Sequence, residues 1–249
     1  MRFDTTFPDR ELESITPEEI LSFLNQINPS ANQSTKRLRY SLIKAFYNFC
    51  KNTFDETISN PCATSMLKKM FRDRRSVQWT ILEKEVIDEI IFKTENHRDR
   101  LILELMARGG MRISEVLKLT ARDVEDRKLI LHNPKSGKEV EVVYIPQKVA
   151  SRLKDYIRNN QITLEQRIFP ITYSGARAMV KKAGSVVGIA VKTHDLLRRH
   201  AATYASRSGT PIEIVSKVIL RHANLATTQR YLGKVSDTEA VRWIENLYG

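Results

Sequence analysis

Four separated stretches hold residues able to act on a phosphodiester. They are Gly109-Gly110-Met111-Arg112-Ile113-Ser114-Glu115, the turn around Lys135, His194-Asp195-Leu196-Leu197-Arg198-Arg199, and Leu220-Arg221-His222 followed by Thr227-Thr228-Gln229-Arg230-Tyr231. Singly, none of them names a function: an arginine after two glycines is usually a surface residue, a turn lysine is usually solvated, and an isolated histidine is usually structural. Together they supply a nucleophile, forked cationic donors and proton carriers. A tyrosine phenol, with an ordinary pKa near ~10, can attack a phosphodiester and store the bond energy in a phosphotyrosyl link, so resealing needs no ATP. Charge that builds on the non-bridging oxygens in the transition state calls for fixed donors, and two guanidiniums provide them without a metal. The departing 5′-oxygen needs a proton, which a lysine on a hairpin turn can give.

In order and spacing these stretches resemble the catalytic domain of the tyrosine recombinase, or phage integrase, family, which includes Xer-like and lambda-integrase-like enzymes. GMRISEVLKL resembles the family's first-arginine motif and RRHAATYA its second-arginine helix. LRHANLATTQRY is similar to the stretch with the His or Trp position, the Thr-Thr pair and the nucleophile, with Tyr231 nine residues after His222. The likeness runs from Thr80 to Tyr231, and ITPEEILSFL is similar, less distinctively, to the core-binding domain. The resemblance implies Tyr231 as nucleophile, Arg112 and Arg198 as the phosphate's grip, and Lys135 as general acid with Lys138 as the second choice. It also implies that His222 donates to the phosphate and that His194 positions the phosphate or moves a proton, with no metal and no cofactor. The activity implied is site-specific recombination, in which duplex DNA is cut and rejoined through a 3′-phosphotyrosyl intermediate. A non-catalytic DNA-binding regulator derived from an integrase is the alternative from another class, and the intact set of Arg112, Lys135, Arg198, His222 and Tyr231 speaks against it. A type IB topoisomerase shares the chemistry. A metal-dependent nuclease fits least, because the acidic residues do not gather into a ligand set.

Three departures from the family pattern stand out. His194 and Arg198 are four residues apart where three is usual, so either a bulge keeps His194 in the site or Asp195 takes its slot; His194 is preferred because it keeps the imidazole. Arg221 stands where glycine is common, adding a cation beside the nucleophile's helix. The usual first helix of the core-binding domain is not found before Phe7.

The elements that must position these residues are mainly helical. Ile20, Leu21, Phe23 and Leu24, and then Leu38, Leu42, Ile43, Phe46 and Phe49, carry helical spacing. Thr16, Pro17 and Glu19 form a capping-box start, and Thr210, Pro211 and Glu213 announce another. Between Lys128 and Ile145, Leu129 and Leu131 and then Val140, Val142 and Tyr144 alternate with other residues around a turn, a hairpin signal. The fold class expected is therefore mainly α with a small β-hairpin or sheet. A helical DNA-binding domain is expected over 1–75 and a catalytic domain over 76–249, which by resemblance close as a C-shaped clamp.

Lys68, Lys69, Arg72, Arg74 and Arg75 put five cations into eight residues at that boundary. With Arg177, Lys181 and Lys182 on a helix, and Arg199 and Arg221 beside the motifs, Lys68, Lys69 and Arg72 are the candidate DNA contacts. The formal net charge of +12, from 41 Lys and Arg against 29 Asp and Glu, favours a polyanionic partner. The partners expected are a duplex DNA recombination site, further copies of the chain as a dimer to tetramer on DNA, and accessory DNA-binding proteins. Ala240, Val241, Trp243, Ile244 and Leu247 form a short apolar helix that docks on its own core or, by family analogy, on a neighbouring protomer. Cys50 and Cys62 lie in no metal-ligand spacing, and no apolar run approaches the ~20 residues of a membrane span. The location expected is the cytoplasm, at the nucleoid, with no membrane role.

Overall fold

The computed structural model describes residues 3–27, 29–72, 82–134, 138–190, 197–229, 232 and 237–248. The chain forms two units, Met1–Val77 and Gln78–Gly249.

The first unit contains α1 (Phe3–Thr6), α2 (Pro17–Gln26), α3 (Gln33–Thr53) and α4 (Ser65–Met70). α2 starts with the capping box read from the sequence: Thr16 Oγ1 accepts from the Glu19 N–H at 3.2 Å, and Glu19 Oε2 accepts from the Thr16 N–H at 2.9 Å. Two of the first turn's orphan donors are thereby satisfied. Ile20, Phe23 and Leu24 of α2 are buried as their spacing indicates. α3 is a helix where one was expected, but it buries a different face. Leu38, Leu42, Phe46 and Phe49 are exposed, while Tyr40, Tyr47 and Cys50 point into the core. The tyrosines can do this because their hydroxyls find carbonyls, Tyr40 at Cys62 (2.8 Å) and Tyr47 at Leu12 (3.2 Å).

The second unit is built around α6. Helices α5 (Lys84–Phe92) and α6 (His97–Arg108) lead into the short α7 (Ile113–Val116), and strands β1 (Val124–Glu125), β2 (Lys128–His132) and β3 (Val140–Tyr144) follow. Then come α8 (Gln147–Asn159), α9 (Tyr173–Val186), α10 (Leu197–Arg207), α11 (Ile212–Ile214), a π turn (Val215–Ile219), α12 (Leu225–Gln229) and α13 (Asp237–Tyr248). Every residue of α6 from Leu101 to Ala107 is buried, and the helix packs against α10, α8, α5 and α7. Burying a leucine fully contributes about 1.5–3 kcal/mol, so this central helix is held chiefly by its own apolar surface. Its one buried carboxylate, Glu104, accepts two hydrogen bonds from Arg152 of α8, at 2.6 and 3.0 Å.

The strands form an antiparallel sheet in the order β1-β2-β3. The expected hairpin is present, and β1 adds a third strand that is too short to leave a period-two signal. Leu129 pairs with Val143 and Leu131 with Glu141, and these four residues are the buried ones. Val140 and Tyr144 face solvent, so the apolar alternation marks the strand but not its inner face. The second expected capping box does not form: the cap of α11 falls on Pro211, which has no side-chain acceptor. The Thr210 N–H instead donates to the Ala205 carbonyl, finishing α10. α13 is a helix as expected, with Val241 and Ile244 exposed. Among the described residues no helix is long and apolar enough to cross a membrane.

Candidate active site

α6 ends at Gly109, and the chain reverses through Gly110, whose φ is +60°. A Cβ at Gly110 would stand 2.7 Å from the Ile219 carbonyl oxygen, so this close crossing of two chain segments requires glycine. The turn delivers Arg112 to the start of α7. There the Glu115 carboxylate holds it twice, Oε2 accepting from the Arg112 N–H at 2.8 Å and Oε1 from Nη1 at 2.5 Å. Three residues is the distance at which a side chain reaches back over the first helical turn, so Glu115 aims the arginine that precedes it.

Arg198 enters the same place from the first turn of α10. Its Nη1 donates to the Gly110 carbonyl at 2.9 Å and its Nη2 to the Leu220 carbonyl, and Nη1 lies 3.8 Å from Glu115 Oε2. Arg112 and Arg198, far apart in sequence, thus meet at one carboxylate. Their exposure differs: the Arg112 side chain is 28% exposed and that of Arg198 3%, so an incoming anion meets Arg112 first.

His222 follows the π turn, which closes with the Leu220 N–H donating to the Val215 carbonyl five residues back, and the His222 N–H then donates to the Ser216 carbonyl at 2.9 Å. Its Nδ1 lies 3.0 Å from Thr228 Oγ1, and that hydroxyl donates to Ser216 Oγ at 2.9 Å. With the single hydroxyl proton committed to Ser216, Thr228 accepts from Nδ1–H, which leaves Nε2 as the other ring position for chemistry. Burial first, and then the charges of Arg198, Arg112 and Arg221, push the His222 pKa down to about 4. Neutral imidazole is therefore the resting form at pH 7.

Arg221 and Arg199 differ from the outward-facing DNA contacts expected of them, since both are buried. Arg221 Nη2 donates to Glu115 Oε2 at 2.7 Å, and Nε lies 3.5 Å from Glu141 Oε2. Burial raises the Glu115 pKa, but the Arg221 charge, followed by the hydrogen bonds and charge of Arg112, outweighs it and holds the group below the usual carboxylate range. Lys68, Lys69, Arg72, Arg177, Lys181 and Lys182 are exposed, as a phosphate contact requires. Lys138, the second choice for general acid, is also exposed. Lys135, His194 and Tyr231 lie outside the described residues.

Glu115 lies within the first-arginine motif, and its three-residue spacing from Arg112 is the capping-box signal that marks its role. Glu141, Ser216 and Thr228 acquire their roles only in the fold, and for Glu141 no local signal exists. Three guanidiniums against two carboxylates leave this cluster one positive charge in excess among the described residues, which suits a phosphodiester. The same residues contain no group of three or more His, Cys, Asp or Glu placed to hold a metal ion.

The model of the phage integrase family matches residues 80–236. This chain belongs to the phage integrase family. The match takes in the turn at Gly110, both arginines and His222, and enzymes of the family cut and rejoin DNA through a phosphotyrosyl intermediate. As a member, the chain is a site-specific tyrosine recombinase. It is 29% identical to the tyrosine recombinase XerA of Pyrococcus horikoshii over 88% of this chain and 76% of that protein. The Tn1549 transposon integrase, solved in complex with a circular intermediate DNA, superposes with a TM-score of 0.71 at 16% identity, covering 99% of this chain and 94% of the other. A lambda integrase dimer bound to a COC′ core site gives 0.68 at 18% identity, covering 90% and 82%. These two likenesses establish the phage integrase fold.

Proposed function

We propose that this recombinase cuts duplex DNA with Tyr231, using Arg112, Arg198 and His222 as the phosphate's donors and Lys135 as the general acid. The observation that supports the reading most is the convergence of Arg112 and Arg198, from separate segments, on Glu115, close enough to His222 that their charges lower its pKa. In this mechanism the Tyr231 oxygen attacks phosphorus while its proton passes to His194. The bond from phosphorus to the 5′-oxygen breaks, and that oxygen leaves with a proton from Lys135. Arg112 and Arg198 carry the charge that gathers on the non-bridging oxygens. His222, neutral at rest, takes up a proton as the phosphate's charge arrives and then donates from Nε2. Attack by a 5′-hydroxyl on the phosphotyrosyl link reverses the step and rejoins the strand.

The first unit, which the sequence bounds at 1–75, supplies DNA affinity through Lys68, Lys69 and Arg72, and the catalytic part over 76–249 adds Arg177, Lys181 and Lys182. The solved relatives are an integrase on DNA and a dimer on a core site, which supports a DNA-bound dimer to tetramer here, with α13 docking on a neighbouring copy and accessory DNA-binding proteins assisting. The setting is nucleoid DNA in the cytoplasm.

The test is covalent capture. DNA that stays attached to the protein through denaturation, sequenced to give the site, provides a nicked duplex substrate. On that substrate Tyr231→Phe should lose all covalent product while binding DNA within about threefold of wild type, because only the nucleophilic oxygen is removed. Phosphotyrosyl product from that variant would sink the assignment.

A further inference from the structure

Arg221 is a buried arginine that the mechanism above leaves without a part. Its φ is +53°, a left-handed backbone that residues other than glycine rarely adopt, and its side chain is only 4% exposed. Backbone strain and a buried charge at one position both oppose folding, and they persist only where the surroundings require them. The requirement is visible on either side. Nη2 donates to Glu115 Oε2 at 2.7 Å, Nη1 donates to the Ile219 carbonyl at 2.9 Å, and Nε lies 3.5 Å from Glu141 Oε2. Glu141 points inward from β3 and its side chain is 4% exposed.

Glu115 is the carboxylate that aims Arg112 through Oε1, at 2.5 Å, and its other oxygen stands 3.8 Å from Arg198. We propose that Arg221 is a positioning residue for the cleavage reaction: by occupying Glu115 Oε2 it keeps that carboxylate from closing on Arg198, so both phosphate-gripping arginines stay aimed. A guanidinium paired side-on with a carboxylate presents to it the same fork that it would offer a phosphate, so the two compete directly. The Arg221 charge is the largest single contribution that lowers the Glu115 pKa, in keeping with its short contact, and the hydrogen bonds and charge of Arg112 follow. On the far side of the guanidinium the Glu141 carboxylate balances its charge at 3.5 Å without a hydrogen bond.

The inference rests on the proposed roles of Arg112 and Arg198, and the experiment separates the two. Single-turnover cleavage of the nicked site and thermal melting are measured for four variants. Arg112→Ala should cut at least about 100-fold more slowly, as expected for loss of a preorganised donor, and a near-normal rate would overturn the site assignment itself. Arg221→Gly with Glu141→Gln relieves the backbone strain and removes the stranded carboxylate together. That double variant should melt within a few degrees of wild type yet cut at least tenfold more slowly. Arg221→Lys keeps the charge but lacks the fork that reaches both Glu115 and the Ile219 carbonyl, and it should also cut several-fold more slowly while remaining folded. Glu141→Gln alone, which leaves the contact with Glu115 in place, should cut within threefold of wild type. If Arg112→Ala is inactive while the double variant, or Arg221→Lys, cuts at the wild-type rate, Arg221 is a structural residue only and the proposal fails.

Discussion

His222 is the residue whose ionisation its surroundings perturb most clearly, and the consequence is a pH-dependent stability of known sign. Burial and three nearby guanidiniums hold its pKa at about 4, whereas the imidazole of an unfolded chain titrates near ~6.5. The unfolded chain therefore binds the proton more tightly, so the neutral histidine's contribution is complete above about pH 6.5 and is lost as the pH falls toward about 4. The loss should amount to about 1–3 kcal/mol over that window. Urea titrations at several pH values should show it, and His222→Asn, which has no titrating group, should flatten the curve. An unchanged pH slope in that variant would place the effect elsewhere. Arg112, Arg198 and His222 were legible in the sequence because each lies in a compact motif whose neighbours fix its setting. Glu141 was not legible, because it sits in a strand far from any motif and acquires meaning only when folding sets it against Arg221.

At the scale of elements, the site depends on two chain reversals crossing at one point, the turn after α6 and the π turn before His222. Gly110 is where they touch, and Gly110→Ala should destabilise the protein by about 2–4 kcal/mol, combining the left-handed backbone penalty with a methyl forced against the Ile219 carbonyl. Denaturant unfolding measures this directly, and a variant as stable as wild type would mean that the segments do not cross so closely. Since the Gly110 carbonyl also accepts from Arg198, cleavage should fall along with stability. Hydrophobic spacing located α2, α3, α13 and the hairpin, but it does not say which side of α3 and of β3 turns inward. Both cases have one origin. Tyr40, Tyr47 and Glu141 are polar enough to be read as outward, but each finds a buried partner that only the tertiary fold provides.

For the molecule as a whole, the two units differ in how much apolar surface they hide. Among the described residues, the first unit buries a cluster drawn from Ile15 to Phe71, whereas the second buries a far larger one that runs from Leu82 to Leu197. Small cores are marginal, so the first unit should unfold at lower temperature than the second. Differential scanning calorimetry should resolve two transitions, the lower one smaller in enthalpy, and one symmetrical two-state peak would refute this. Leu38, Leu42, Phe46 and Phe49 also lie uncovered along α3. A dye that fluoresces on apolar surface will therefore glow on the native protein. Its brightness in a melting experiment starts from a high baseline, and such a signal at low temperature is the fingerprint of an intact helix rather than of a molten state.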